Sequence, residues 1–146
     1  MLKIPIDILI VDDEQDFVEM LTMRLTDEGH RVRAAYDGDE GLVALENASC
    51  DVVILDIRMP RMDGITALKE IKRLHPVVEV ILLTGHGAVD TAVEGLKSGA
   101  FDYVQKPANF RELLEKLEAA RDRKVEHEER IRRGEARLLI RHSGDV

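Results

Sequence analysis

The chain has a single cysteine, Cys50, which rules out a disulfide framework and a cysteine metal site. Cys50 lies between Ser49 and Asp51 at the start of an apolar run, a setting for a half-buried structural thiol. No apolar stretch approaches the ~18 residues that a membrane-spanning helix needs. Asp7, Asp12 and Asp13 come too early for a signal peptide, and no small-residue cleavage site follows an apolar block. A cytoplasmic location without membrane contact is the default expectation. A phosphate-binding Gly-x-x-x-x-Gly-Lys-Ser/Thr loop is missing, so the chain is not built to bind ATP itself. Repeats and low-complexity tracts are also lacking.

Positive charge is scarce too. The net charge is −8, and the acidic excess sits in residues 1–120. An acidic body argues against direct nucleic-acid binding. Residues 121–146 are mildly basic, but glutamates are interleaved with the arginines, which does not suit a nucleic-acid arm.

A length of 146 residues provides for one domain and one core. The composition, 45% apolar and 34% charged, fits a soluble globular protein with a polar surface. Strand-like and helix-like segments alternate. Ile6–Val11, Arg31–Ala35, Val52–Leu55, Val80–Leu83 and Tyr103–Gln105 read as strands. Glu14–Glu28, Ile65–Leu74 and Asp90–Lys97 read as helices, with one more after Asp37 and a long one after Asn109. Asp37 with Glu40, and Asn109 with Glu112, have the spacing of capping boxes, and Asp63 can cap the third helix. Five strand–helix units imply an α/β fold, a parallel sheet with helices on both faces.

The tail is of another kind. Residues 121–137 are mostly charged, and Glu126–Arg130, Glu128–Arg132 and Glu129–Arg133 are i,i+4 pairs in the favourable order. The last helix is therefore expected to extend past the globular part. A heptad seam runs through Phe110, Leu113, Leu117, Ala120, Lys124, His127, Ile131, Gly134 and Leu138. A solvated helix that frays near Gly134 and a self-association helix are both open at this point.

The apolar runs end in reactive groups. Ile8–Val11 leads into Asp12 and Asp13, Val52–Leu55 into Asp56, Val80–Leu83 into Thr84, and Tyr103–Gln105 into Lys106. Ligands of open α/β sheets bind at the carboxyl ends of the strands. Three carboxylates, a hydroxyl and an ammonium are thus expected on one edge. Hard cations such as Mg²⁺ prefer such oxygen ligands. Asp13 and Asp56 supply oxygens there, and Asp12 acts directly or through water. A carboxylate is also a nucleophile toward phosphorus, and Lys106, Thr84 and backbone N–H groups after Asp56 can meet the developing charge. The histidines His30, His75, His127 and His142 have no ligand spacing and are expected at the surface.

These residues stand in a recognisable arrangement. Ile10-Val11-Asp12-Asp13-Glu14, Leu55-Asp56-Ile57-Arg58-Met59-Pro60-Arg61-Met62-Asp63-Gly64, Leu83-Thr84-Gly85-His86-Gly87 and Gly99-Ala100-Phe101-Asp102-Tyr103-Val104-Gln105-Lys106-Pro107 occur in that order. Over residues 5–120 the chain resembles the receiver domain of two-component response regulators. The Thr84-Gly85-His86-Gly87 loop resembles receivers of the nitrogen-regulator and nitrogen-fixation type. Residues 121–146 then form a charged helical extension with a frayed end.

The resemblance implies a flavodoxin-like doubly wound sheet of five parallel strands, order 2-1-3-4-5, with five helices. It implies Asp56 as phosphoacceptor, receiving its phosphoryl group from a sensor histidine kinase or phosphotransfer protein. Asp12, Asp13, Asp56 and the Arg58 backbone carbonyl would bind Mg²⁺ (or Mn²⁺). Thr84 and Lys106 would contact the phosphoryl group, and Thr84 with Tyr103 would form the switch. Arg58 and His86 would tune its lifetime by shielding it from water. The Lys106–Pro107 bond would be cis. Such a chain is a switch rather than an enzyme, since it catalyses only its own phosphorylation and dephosphorylation.

Output would pass through helix 4, strand 5 and helix 5 to a partner or a second copy. Kinase choice would lie near Gln15, Val18 and Thr22. Residues 121–146 are too few for a winged-helix or helix-turn-helix domain, so the chain is either a stand-alone receiver or a piece of a longer regulator. Two other classes compete. A phosphohydrolase with an Asp nucleophile usually needs an acid two residues later, where this chain has Arg58. A pseudo-receiver would use the fold as a binding module without phosphorylation.

Overall fold

The computed structural model describes residues 4–85, 88–107 and 109–144. The elements are β1 (Asp7–Val11), α1 (Gln15–Asp27), β2 (Arg31–Ala35), α2 (Gly38–Asn47), β3 (Val52–Asp56), α3 (Gly64–Leu74), β4 (Glu79–Thr84), α4 (Val89–Lys97), β5 (Asp102–Gln105) and α5 (Phe110–Gly144). All neighbouring strands pair in parallel, in the order β2-β1-β3-β4-β5. The sheet is the doubly wound one expected from the alternation.

Successive strand residues point to opposite faces. Leu9, Val11, Val53, Leu55, Val80 and Leu82 therefore pack on one side with Ala67, Leu68 and Ile71 of α3 and Ala92 of α4. Ile8, Ile10, Val52, Ile54, Ile81 and Leu83 pack on the other with Val18, Leu21 and Leu25 of α1 and Leu113, Leu117 and Ala120 of α5. β3 and β4 are buried along their whole length, which is why they read as unbroken apolar runs rather than alternating ones. Each fully buried Leu or Ile side chain stabilises the fold by about 1.5–3 kcal/mol relative to exposure.

The caps form where the sequence has acceptors. Asp37 accepts from the Glu40 N–H at 2.8 Å, Asp63 from the Thr66 N–H at 2.8 Å and Asn109 from the Glu112 N–H at 3.1 Å. The return arm of the first box is displaced by one residue, because Glu40 accepts from the Tyr36 N–H rather than from that of Asp37. Gly29 closes α1 at φ 92°, a conformation that glycine adopts without a Cβ penalty.

Several expectations change. His30 is buried, not at the surface: its Nδ1 accepts the Ile6 N–H at 3.1 Å. Ile6 precedes β1, and that N–H needs an acceptor once buried. Cys50 is fully rather than half buried, and burial pushes its thiol up to about 12. The helical seam is split between two environments. Leu113, Leu117 and Ala120 are core, buried against the sheet, so a partner cannot use them. Lys124, next on the seam, pairs with Asp51 at 3.0 Å. Only from Ile131 outward does the seam face solvent, with Ile131 42% and Leu138 57% exposed.

α5 is helical through Gly134 as far as Gly144. A helical glycine costs about 1 kcal/mol, a penalty that flanking Arg, Glu, Ala and Leu residues can offset. The Glu129–Arg133 pair forms at 3.4 Å, whereas Glu128 pairs back to Lys124 at 3.1 Å. Among the described residues, no helix is long and apolar enough to cross a membrane. His142 falls outside the described side chains.

The loop from β3 to α3 is tightly constrained. Arg61 has φ 71°, and the Met62 N–H donates to the Pro60 carbonyl at 2.9 Å, a γ-turn. The turn folds the chain back until the Gly64 N–H donates to the Ile57 carbonyl at 2.8 Å. A Cβ on Gly64 would stand 2.5 Å from both the Asp56 carbonyl oxygen and Ile57 Cα. Gly64→Ala is expected to lower stability in urea unfolding by about 1–3 kcal/mol, since the clash is with backbone. An unchanged unfolding midpoint would contradict this close approach.

Candidate functional site

Each reactive side chain sits at the last residue of a strand or just past it, held by that strand's last hydrogen bonds. The Asp12 N–H donates to Ala35 at 3.1 Å and carries β1 one residue beyond Val11. The Ile57 N–H donates to Leu83 at 3.1 Å, fixing Asp56 at the end of β3. The Lys106 N–H donates to Thr84 at 2.7 Å, tying the end of β5 to the end of β4. The Lys106–Pro107 peptide is cis.

The side chains then converge. Carboxylate oxygens of Asp12, Asp13 and Asp56 lie within 4.8 Å of one another. Asp12 is fully buried, Asp56 nearly so, and Asp13 opens to solvent. Asp12 Oδ1 accepts from the Glu14 N–H at 2.9 Å, and Asp56 Oδ1 from the Arg58 N–H at 3.2 Å. Lys106 Nζ lies 2.7 Å from Asp12 Oδ2 and 3.7 Å from Asp56 Oδ2. Asp12 Oδ2 is thus buried against the ammonium, while Asp56 Oδ2 stands beyond hydrogen-bond range of it.

The electrostatics follow from this crowding. Burial, then repulsion from Asp12, push the Asp56 carboxyl up to about 6, against the pull of Lys106 and the Arg58 N–H. Burial opposes the Lys106 ammonium, but Asp12, Asp56 and Glu14 outweigh it and raise its pKa. Three carboxylates so close form an all-oxygen donor set that fits a hard divalent cation. Asp12, Asp13 and Asp56 are the residues that could hold it.

The remaining expected residues sit around this cluster. Thr84 is buried at the end of β4. The Arg58 side chain is exposed in the loop after Asp56. Tyr103 is half-buried on β5, packed against the core cluster that contains Leu82, with Lys116 Nζ 5.5 Å from its ring centroid. His86 lies outside the described residues. Two neighbours had no expected role. Glu14 Oε1 accepts from Lys106 Nζ at 3.2 Å, and the Phe17 ring lies 4.6 Å from the same ammonium. Val18, expected near the kinase contact, is instead fully buried in the core, because it lies on the inner face of α1.

Residues 8–118 match the response regulator receiver domain family. The chain belongs to that family. The transcriptional regulatory protein ZraR of Salmonella typhimurium is 43% identical over 120 residues, covering 82% of this chain and 27% of that protein. The nitrogen assimilation regulatory protein NtrX of Azorhizobium caulinodans is 42% identical over 110 residues, 74% of this chain and 24% of that protein. This receiver thus spans about a quarter of the length of the curated relatives it matches. The crystal structure of the NtrX receiver domain from Brucella abortus aligns with a TM-score of 0.77 at 40% identity, covering 80% of this chain and 98% of that one. A CheY-like receiver from Methanospirillum hungatei aligns at 0.79 and 33% identity, covering 85% and 99%.

The raised Asp56 pKa makes a stability statement for the receiver. From about pH 4 to about 6 the folded protein holds a proton on Asp56 that the unfolded chain has released. Folding stability therefore falls as pH rises through that window, and above it the cost of a charged Asp56 is fully present. In metal-free buffer at neutral pH, Asp56→Asn is expected to melt above wild type, with the gap closing toward pH 4. A variant that melts at or below wild type at neutral pH contradicts the repulsion.

Proposed function

We propose that this receiver takes a phosphoryl group onto Asp56 in a reaction that requires Mg²⁺ (or Mn²⁺). The observation that carries the reading is the acid cluster, with Asp12 and Asp56 buried, and the Lys106 ammonium set against it. The donor is the phosphorylated imidazole of a sensor histidine kinase or a phosphotransfer protein. The N–P bond breaks, an Asp56 carboxylate oxygen forms the new O–P bond, and the histidine nitrogen leaves with its electron pair. When bound there, a divalent cation would supply positive charge to the acids and to the phosphoryl oxygens. Asp13, Asp56 and the Arg58 carbonyl would be its direct ligands, with Asp12 acting directly or through water. Lys106 and Thr84 bind phosphoryl oxygens, and the N–H groups after Asp56 orient them. Arg58 and His86 shield the product from water.

Thr84 and Tyr103 carry the change to the face formed by α4, β5 and α5, by a shift between two states that the phosphoryl group contacts differently. α4 exposes Val89, Val93 and Leu96 to solvent, apolar side chains suited to a protein partner. The relatives are transcriptional regulators several times longer, so the effector is either a further domain of the same chain or a separate protein. Self-association, on this reading, uses α5 beyond Ile131, where Ile131, Leu138, Leu139 and Ile140 are exposed. Kinase choice is assigned to α1 near Gln15 and Thr22, without Val18. The cytoplasm is the proposed location.

One experiment tests the reading. Wild type and Asp56→Asn are incubated with Mg²⁺ and a small acyl-phosphate donor, then weighed by mass spectrometry and sedimented. Addition of one phosphoryl group to wild type alone is the expected result, with larger species favoured in the labelled sample. Absence of labelling points to a pseudo-receiver, and multiple turnover of a phosphoester to a hydrolase. A labelled protein that stays monomeric at high concentration removes the self-association part alone.

A further inference from the structure

The ammonium of Lys106 is shared among acids, and one of them stands outside the metal-binding cluster. Lys106 Nζ lies 2.7 Å from Asp12 Oδ2, 3.2 Å from Glu14 Oε1 and 3.7 Å from Asp56 Oδ2. The Glu14 contact has hydrogen-bond geometry, whereas Asp56 is beyond hydrogen-bond range. The Phe17 ring, 4.6 Å away, further favours the cation on the α1 side of the site. Glu14 is the N-cap residue of α1, yet its side chain makes no capping hydrogen bond. It reaches across the mouth of the site to Lys106, 92 residues further along the chain.

We propose that Glu14 is a positioning residue that holds Lys106 at the outer rim of the site and must yield it when phosphoryl oxygens arrive. This deepens the phosphoacceptor reading of Asp56 and rests on it. An ammonium has three donors in a compact, mobile head, so its partners compete for it. In the unphosphorylated receiver Asp12 and Glu14 hold it. A phosphoryl group on Asp56 offers new anionic oxygens, and the part of the Glu14 interaction that must be given up counts against that state. Lys106 is 17% exposed but Glu14 is 64% exposed, so the restraint is modest and screened by salt.

The test compares wild type, Glu14→Gln and Glu14→Asp in the rate of labelling by a small acyl-phosphate donor at saturating Mg²⁺, at low and high salt. Gln removes the charge. Asp keeps the charge but loses the reach to Lys106. Both variants are expected to label roughly two- to fivefold faster than wild type at low salt, the scale that an exposed ion pair supports, and the gap should narrow at high salt. If Asp behaves like wild type while Gln is fast, Glu14 acts only by repelling the anionic donor, and the positioning role is overturned. If wild type is labelled and neither variant differs from it, the inference fails while the Asp56 reading stands. If wild type is not labelled at all, both fall together.

Discussion

Electrostatic imbalance at one edge of the sheet is the constraint on which the rest depends. At the amino edge, acids near the strand starts have their own cations: Asp7 with Arg31, Asp51 with Lys124 at 3.0 Å and Glu79 with Lys72 at 3.6 Å. At the carboxyl edge, Asp12, Asp13 and Asp56 crowd within 4.8 Å, and Lys106 is the ammonium set against them among the described residues. Lys106 is shared with Glu14 as well. The amino edge is balanced by the protein itself. The carboxyl edge is left with excess negative charge in a partly buried place, and that raises the Asp56 pKa. A site in that state gains from a divalent cation.

The fold holds this imbalance in place. β1 and β3 are neighbours, so their carboxyl ends deliver Asp12 and Asp56 side by side. β4 lies between β3 and β5, so Thr84 and Lys106 close the other side. The hydrophobic packing on both faces of the sheet fixes these ends against the mutual repulsion of the acids. The γ-turn at Arg61 and the tight seat of Gly64 against Asp56 and Ile57 fix the loop that follows Asp56. At the amino edge, Lys124 and Arg121 fasten the start of the helical extension to Asp51 and to the Ile4 carbonyl. The extension therefore leaves the domain as a continuation of its core helix.

Much of this was legible because burial on both faces writes itself as unbroken apolar runs. Val52–Leu55 and Val80–Leu83 mark the central strands, and the polar residue after each run marks the carboxyl edge where the acids gather. Caps were legible at Asp37, Asp63 and Asn109, where one side chain meets one nearby N–H. What could not be read depends on distant partners. His30 is buried because the start of β1 brings the Ile6 N–H to it from 24 residues away. Val18, by contrast, shares the i, i+3, i+7 spacing of Leu21 and Leu25, the mark of an inner helix face, and all three are buried. The seam in α5 has one pattern for two purposes, core packing up to Ala120 and exposure from Ile131 outward. Asp12-Asp13-Glu14 advertises three acids, but nothing in that motif says that the third one reaches Lys106.

Calorimetric titration with Mg²⁺ in buffers of different ionisation enthalpy tests the central claim most directly. Near pH 6, where Asp56 is part-protonated, metal binding should release a fraction of a proton. At about pH 8 binding should be tighter and the release should vanish, because Asp56 is already ionised. Asp56→Asn should show no such proton release. Binding without proton release near pH 6, or no binding at any pH, would contradict an acid cluster held in unfavourable repulsion until a cation relieves it.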